Sequence, residues 1–165
     1  MLNPISLAFK KARQESRAAL LTYTVAGDSS KKQSLDILKS ISKDADILEL
    51  GVPHNTPVAD GSQIQTSAYR AIKNGIRMND IFKIVKNFKK SNKNKPIILM
   101  GYFNMIFQYG ENKFLNKCNS SGVNDGAAGV LIMKRNESEK RDLEPLGQIV
   151  SWASCGVDPA LMGSG

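Results

Sequence analysis

Histidine occurs once in this chain, at His54, and cysteine twice, at Cys118 and Cys155. One imidazole and two distant thiols leave a zinc centre without a ligand set, and two cysteines are too few for a disulfide framework. No apolar run approaches the ~18 residues that span a bilayer. The opening MLNPISLAFKKARQESR mixes Lys and Arg among and after its few apolar residues, which is not the order of a secretory signal. The lysine-rich stretch from Ile81 to Lys95 has no interleaved exposed aromatics, the stacking platforms of single-strand binders. These absences exclude the zinc-dependent, disulfide-stapled and membrane-spanning classes, and the remaining expectation is a cytoplasmic protein.

What is present fits a packed domain. With 41% hydrophobic and 23% charged residues over 165 positions, the chain can build one core and lacks the composition of a disordered segment. Its net charge of +8 favours an acidic partner, whether nucleic acid, anionic lipid or a phosphorylated small molecule. The lysines are scattered on helix faces, so the charge permits such a partner without requiring one.

Short apolar runs alternate with segments of helical period. Ala19–Val25, Ile47–Gly51 and Pro96–Met100 read as strands, and Gly129–Met133 as a fourth. Between them, Lys31–Lys43 carries a stripe of Leu35, Leu38 and Ile41. A helix over about Gln63–Asn74 has Ile64, Ala68 and Ile72 inward and stops at Gly75. Asp80 is expected to cap a further helix whose stripe is Ile81, Ile84, Val85 and Phe88, with Lys83, Lys86, Lys89 and Lys90 outside. Met105–Cys118 reads as one helical stretch anchored by Phe114 and Leu115, and Glu137–Ala153 as a helix interrupted by Pro145. Strands apolar throughout are parallel strands covered by helices. The fold class is α/β, either an open doubly wound sheet or part of a (β/α)8 barrel.

Glu49 breaks the apolar pattern. A carboxylate among Ile47, Leu48 and Leu50 is costly unless paired, solvated or protonated. Near the carboxyl end of its strand it points to a pocket, where α/β enzymes place their chemistry, or pairs with a neighbouring Lys or Arg. The loop Gly51–Gly61 is bounded by glycines and shaped by Pro53 and Pro57, and it delivers Asp60 to the same end of the sheet. Two carboxylates in different environments divide labour: a buried one moves protons, and an ionised one stabilises positive charge. Asp60 alone also fits a turn-capping residue. His54 could serve as an acid/base group but, on a loop with no partner in view, reads more as a surface histidine; Cys118 and Cys155 read as packed thiols, and Tyr102 as a pocket wall or packing group. Gly126–Gly129 precedes a strand, whereas a phosphate cradle follows one.

The run Leu48-Glu49-Leu50-Gly51-Val52-Pro53-His54, with Pro57-Val58-Ala59-Asp60-Gly61 and Ile64-Gln65, closely resembles the signature of the tryptophan synthase alpha chain family. Leu21–Asp28 resembles that family's first strand and turn, and Ile97–Asn104 its third strand. The resemblance holds one register from about Leu7 to Val123. It implies a TIM-type (β/α)8 barrel and a lyase that cleaves indole-3-glycerol phosphate to indole and glyceraldehyde 3-phosphate in tryptophan biosynthesis. It implies Glu49 as the acid/base residue and Asp60 as the carboxylate on the indole N–H. Tyr23 and Tyr102 then line the indole pocket. The implied partner is a beta chain in an α2β2 tetramer, with pyridoxal phosphate in that partner and no cofactor or metal in this chain.

The departures are specific. Asn55-Thr56 stands where the family usually has Ser or Thr followed by Asp, at the loop facing the beta chain, and Ser62 replaces a common Pro. A complete barrel takes ~250 residues, and this chain has room for roughly four or five units. Residues 1–165 read as a single partial barrel domain, in which 1–123 follow the family and 124–165 diverge. Met133–Glu137 stands where an Asp-x-Pro-x-Glu-Glu motif is expected. The rival classes are a remnant that only binds the beta chain and a basic nucleic-acid-binding α/β protein.

Overall fold

The structure, a computed structural model, describes residues 3–57, 60–123 and 135–144. The chain divides into two compact units, Met1–Ala127 and Ala128–Gly165. In the first, three strands, β1 (Leu21–Val25), β2 (Ile47–Gly51) and β3 (Ile97–Met100), form a parallel sheet in the order β1-β2-β3. Tyr23 pairs with Glu49, and Glu49 with Ile98.

Side chains alternate across this sheet. Leu48, Leu50 and Ile97 turn to one face and are fully buried against Leu38, Ile81, Ile84, Val85 and Phe88. These come from α2 (Lys31–Ile41) and α4 (Met78–Ser91), following α1 (Pro4–Gln14) and flanking α3 (Ser62–Lys73). Among the described residues Phe88 is the largest fully buried side chain, and it belongs to the cluster between the helices and the sheet. Along the other face run Tyr23, Glu49 and Ile98, none of them fully buried.

Local chemistry sets the boundaries. Ser30 caps α2 by accepting the Gln33 N–H at 3.0 Å. Buried Ser34 accepts the Gly27 N–H at 2.6 Å, which ties the turn after β1 to the helix. At the amino end of β2, Arg17 forks onto the two oxygens of Asp46 at 2.6 and 2.8 Å, and the Leu20 N–H adds a third bond at 2.8 Å. The guanidinium therefore holds the Asp46 carboxyl well below the usual carboxylate range.

Several expectations need correction. Helix α1 was not anticipated, although Asn3 caps it by accepting the Ile5 N–H and Pro4 occupies its first turn. Asp80 is not the cap of α4: that helix begins at Met78, and Asp80, in its first turn, accepts the Arg77 N–H and pairs with Lys31 at 2.8 Å. On α3 the inward face is Ala68 and Ala71, while Ile72 is exposed, because small residues let the helix lie close to β1. The stretch read as Met105–Cys118 is two helices, α5 (Phe103–Tyr109) and α6 (Glu111–Ser121), broken where Gly110 takes φ +94°. Phe114 is buried against Phe82, but Leu115 is exposed. Lys89 is half-buried rather than outside, its ammonium donating to the Lys95 carbonyl at 2.8 Å. Leu21 and Met100 are partly exposed because β1 and β3 are the edges of the described sheet.

In the second unit the described residues form α7 (Arg135–Lys140), laced by i,i+4 pairs of Arg135 with Glu139 and Glu137 with Arg141. The strand expected at Gly129–Met133, the glycines at 126 and 129 and most of the helix expected over Glu137–Ala153 lie outside the described residues.

Since Phe88 anchors the helix–sheet contact, Phe88→Ala should cost about 3–5 kcal/mol of folding stability. Urea unfolding of the two chains, compared at matched slope, measures it.

Candidate active site

Glu49 occupies the middle of the central strand. Its neighbours Leu48 and Leu50 face the helices, so alternation sends the carboxylate to the opposite face. There it is half-buried, and burial alone pushes its pKa above the usual carboxylate range. Among the described residues no Lys or Arg pairs with it, and it makes no hydrogen bond, so the alternative of a structurally paired Glu finds no partner there.

Tyr23, its register partner on β1, lies with its hydroxyl over Gly51, where any Cβ would collide with the phenol. Glycine at 51 is thus what gives the Tyr23 ring its place. Burial pushes the Tyr23 hydroxyl up to about 12, and the nearby charges of Asp60 and Glu49 add to the shift, as does Tyr102. These four side chains therefore share one electrostatic neighbourhood.

Asp60 reaches it from the loop after β2. Its N–H donates to the Pro57 carbonyl at 3.0 Å, and its own carbonyl accepts from the Gln65 side chain at 2.8 Å, which pins the loop to the first turn of α3. The Asp60 carboxylate accepts a hydrogen bond from the Tyr102 hydroxyl at 3.3 Å. Tyr102 lies two residues past the end of β3, as the N-cap of α5, so the segments that follow β2 and β3 converge on one carboxylate. No salt bridge engages Asp60 among the described residues.

His54 was expected at the surface. It is instead partly buried, with its ring 4.7 Å from that of Tyr102, and its Nδ1 is buried with no hydrogen-bond partner. A lone histidine between two prolines carries no periodicity, so nothing in the sequence reports its packing. A second group missed by sequence reasoning is the clamp behind the site. Arg70 on α3 forks onto Asp28 with contacts of 2.5 and 2.9 Å, and Ser67 donates to the same carboxylate at 3.0 Å. Asn74 then holds the carbonyls of Gly27, Asp28 and Ser29 at 2.9–3.2 Å. Asn55 and Thr56, the departures from the family pattern, are exposed and bonded to each other at 3.3 Å.

Burial pushes the Cys118 thiol up to about 11, away from the range of a nucleophile. Cys155, Val58 and Ala59 lie outside the described residues. Among the described residues no group of three or more His, Cys, Asp or Glu side chains could hold a metal, and no helix is long and apolar enough to cross a membrane.

The strand order β1-β2-β3 suits a barrel and also one half of a doubly wound sheet. Solved relatives decide between them. The chain superposes on tryptophan synthase subunit alpha from Legionella pneumophila with a TM-score of 0.72 at 33% identity, covering 74% of this chain and 47% of that one. A chain of the tryptophan synthase α2β2 complex from Pyrococcus furiosus matches with a TM-score of 0.61 at 42% identity, over 64% of this chain and 44% of that one. The architecture is therefore that of part of a (β/α)8 barrel.

The sequence comparisons are more specific. The profile of the family described as tryptophan synthase alpha chain matches residues 9–147. The tryptophan synthase alpha chain of Pelagibacter ubique is 69% identical over 138 residues, covering 84% of this chain and 51% of the relative. This chain belongs to the tryptophan synthase alpha chain family. It spans about half the length of the curated relatives it matches. Membership does not favour the remnant or the nucleic-acid-binding class.

The raised pKa of Glu49 has a consequence for stability. A carboxyl that holds its proton more tightly when folded contributes stability below the ordinary Glu value of about 4.3, and loses it as pH rises through the raised value. Glu49→Gln should therefore be more stable than the parent at neutral pH, with the difference vanishing at acid pH. Urea midpoints at both pH values test this, and equal midpoints throughout would contradict it.

Proposed function

We propose that this chain is the lyase subunit of a tryptophan synthase, cleaving indole-3-glycerol phosphate by a retro-aldol reaction. The observation that carries the reading is the half-buried Glu49 carboxyl. It has no basic partner among the described residues and faces the same side as Tyr23 and the Tyr102–Asp60 pair.

The chemistry asks for two different carboxylates. Indole C3 must gain a proton, which turns the ring into a cationic indolenine able to accept electrons. The hydroxyl on the adjacent side-chain carbon must lose its proton. The bond from that carbon to C3 then breaks, its electron pair returns to the ring, and indole and the aldehyde part. Glu49, with a pKa raised toward neutrality by burial, suits delivery and removal of these protons. Asp60, at the rim and held by Tyr102 and Gln65, suits a fixed negative charge that accepts the indole N–H and offsets the ring's positive charge. Tyr23 and Tyr102 supply flat walls for the ring.

In this reading residues 1–165 form one partial barrel domain, working in the cytoplasm without a cofactor of its own. Its partner is a beta chain that carries pyridoxal phosphate and takes up the indole, in an α2β2 assembly. The Pyrococcus furiosus relative belongs to a tryptophan synthase α2β2 complex, which supports a beta-chain partner.

Indole release from indole-3-glycerol phosphate, measured with and without beta chain, tests the assignment. Glu49→Gln should lower kcat by about 10²–10⁴-fold, and Asp60→Asn by about a hundredfold or more. Turnover by Glu49→Gln equal to the parent, or no indole from the parent chain, would reject it.

A further inference from the structure

On the helical layer, away from the face that carries Glu49, α4 and α6 enclose a cleft of about 500 Å³. Phe82 forms its floor, buried and packed edge-on against Phe114 at 5.5 Å between ring centroids. This aromatic contact fixes the spacing of the two helices. Lys83 and Lys86 line one wall and Lys113 and Lys117 the other, with Ser120 beside them and no acidic residue in the lining. The Lys113 ammonium stands over the Tyr109 ring at 4.5 Å, which holds it at the wall. None of the four lysines forms a salt bridge among the described residues, whereas Lys31 and Lys11 do.

Four exposed lysines from two helices line one hollow that has no acidic residue in its lining, and such a concentration of positive charge favours an anion seated there. The size falls within the range of small-molecule pockets. It is too local for the extended stripe of a nucleic-acid surface, and its aromatic floor is buried rather than free to stack on bases. Compact ammonium charges suit phosphate oxygens, which need no planar fork. We infer that this cleft binds a small molecule bearing several phosphate groups, at a site separate from the proposed lyase centre.

Calorimetric titration of the chain with inorganic triphosphate at low salt tests the site. Saturable one-to-one binding is expected, weakening as salt rises. The double variant Lys83→Gln/Lys117→Gln should weaken it at least tenfold. Lys39→Gln/Lys43→Gln, with the same charge change on a different helix and turn, should leave it within twofold. An unchanged urea midpoint establishes that the cleft variant is folded; should it be destabilised, Lys86→Gln/Lys113→Gln replaces it with the same expectation. No saturable binding, or equal loss in the Lys39/Lys43 control, would overturn the inference. So would a single-stranded RNA oligonucleotide that binds more tightly than triphosphate and displaces it.

Discussion

The structure depends on one strand having two different neighbours. On β2, alternate residues must face opposite sides, and four buried helix residues, Ile81, Ile84, Val85 and Phe88, claim the side of Leu48 and Leu50. That claim is worth several kcal/mol in buried apolar surface, far more than the discomfort of one half-buried carboxylate. The packing on one side therefore dictates that Glu49 is presented on the other. A slip of one residue would bury the carboxylate in the helix interface and expose both leucines.

The remaining members of the site are held by polar contacts between elements far apart in sequence. Asp60 is fixed at both ends of its loop turn and, from the segment after β3, through Tyr102. Behind it, Arg70 and Asn74 fasten α3 to the turn after β1, so the helix that follows Asp60 is referenced to the strand that carries Tyr23. Residues of β1 and β2 and of the segments after β2 and β3 thus come together on one side of the sheet. In a parallel barrel no single segment contains a site, and rigid elements bring its parts together; the candidate site here is spread in the same way.

The stripe of Leu38 on α2, the stripe of α4 and the three strands could be read directly, because burial imposes a period on the residues that share a face. Glu49 was legible as a violation of that period, and Asp60 only through the loop that links it to the same sheet end. Where reading failed, the cause was local or non-periodic. Ile72 and Leu115 lie at helical spacing but face outward: on α3 Ala68 and Ala71 take the inward face, and α6 starts afresh after the break at Gly110. His54 and the Asp28–Arg70 clamp rest on contacts across long stretches of chain, about which a linear pattern carries no information. The barrel class itself came from motif resemblance, since three parallel strands in order are common to two architectures.

The seat of Tyr23 over Gly51 ties two positions that are 28 residues apart into one inherited unit. A mutation that adds even a methyl group at 51 dislodges the phenol, and a smaller residue at 23 leaves a gap above the glycine. Neither site can drift alone without disturbing the wall beside Glu49. Among descendants of this gene the two codons should therefore change in concert or not at all.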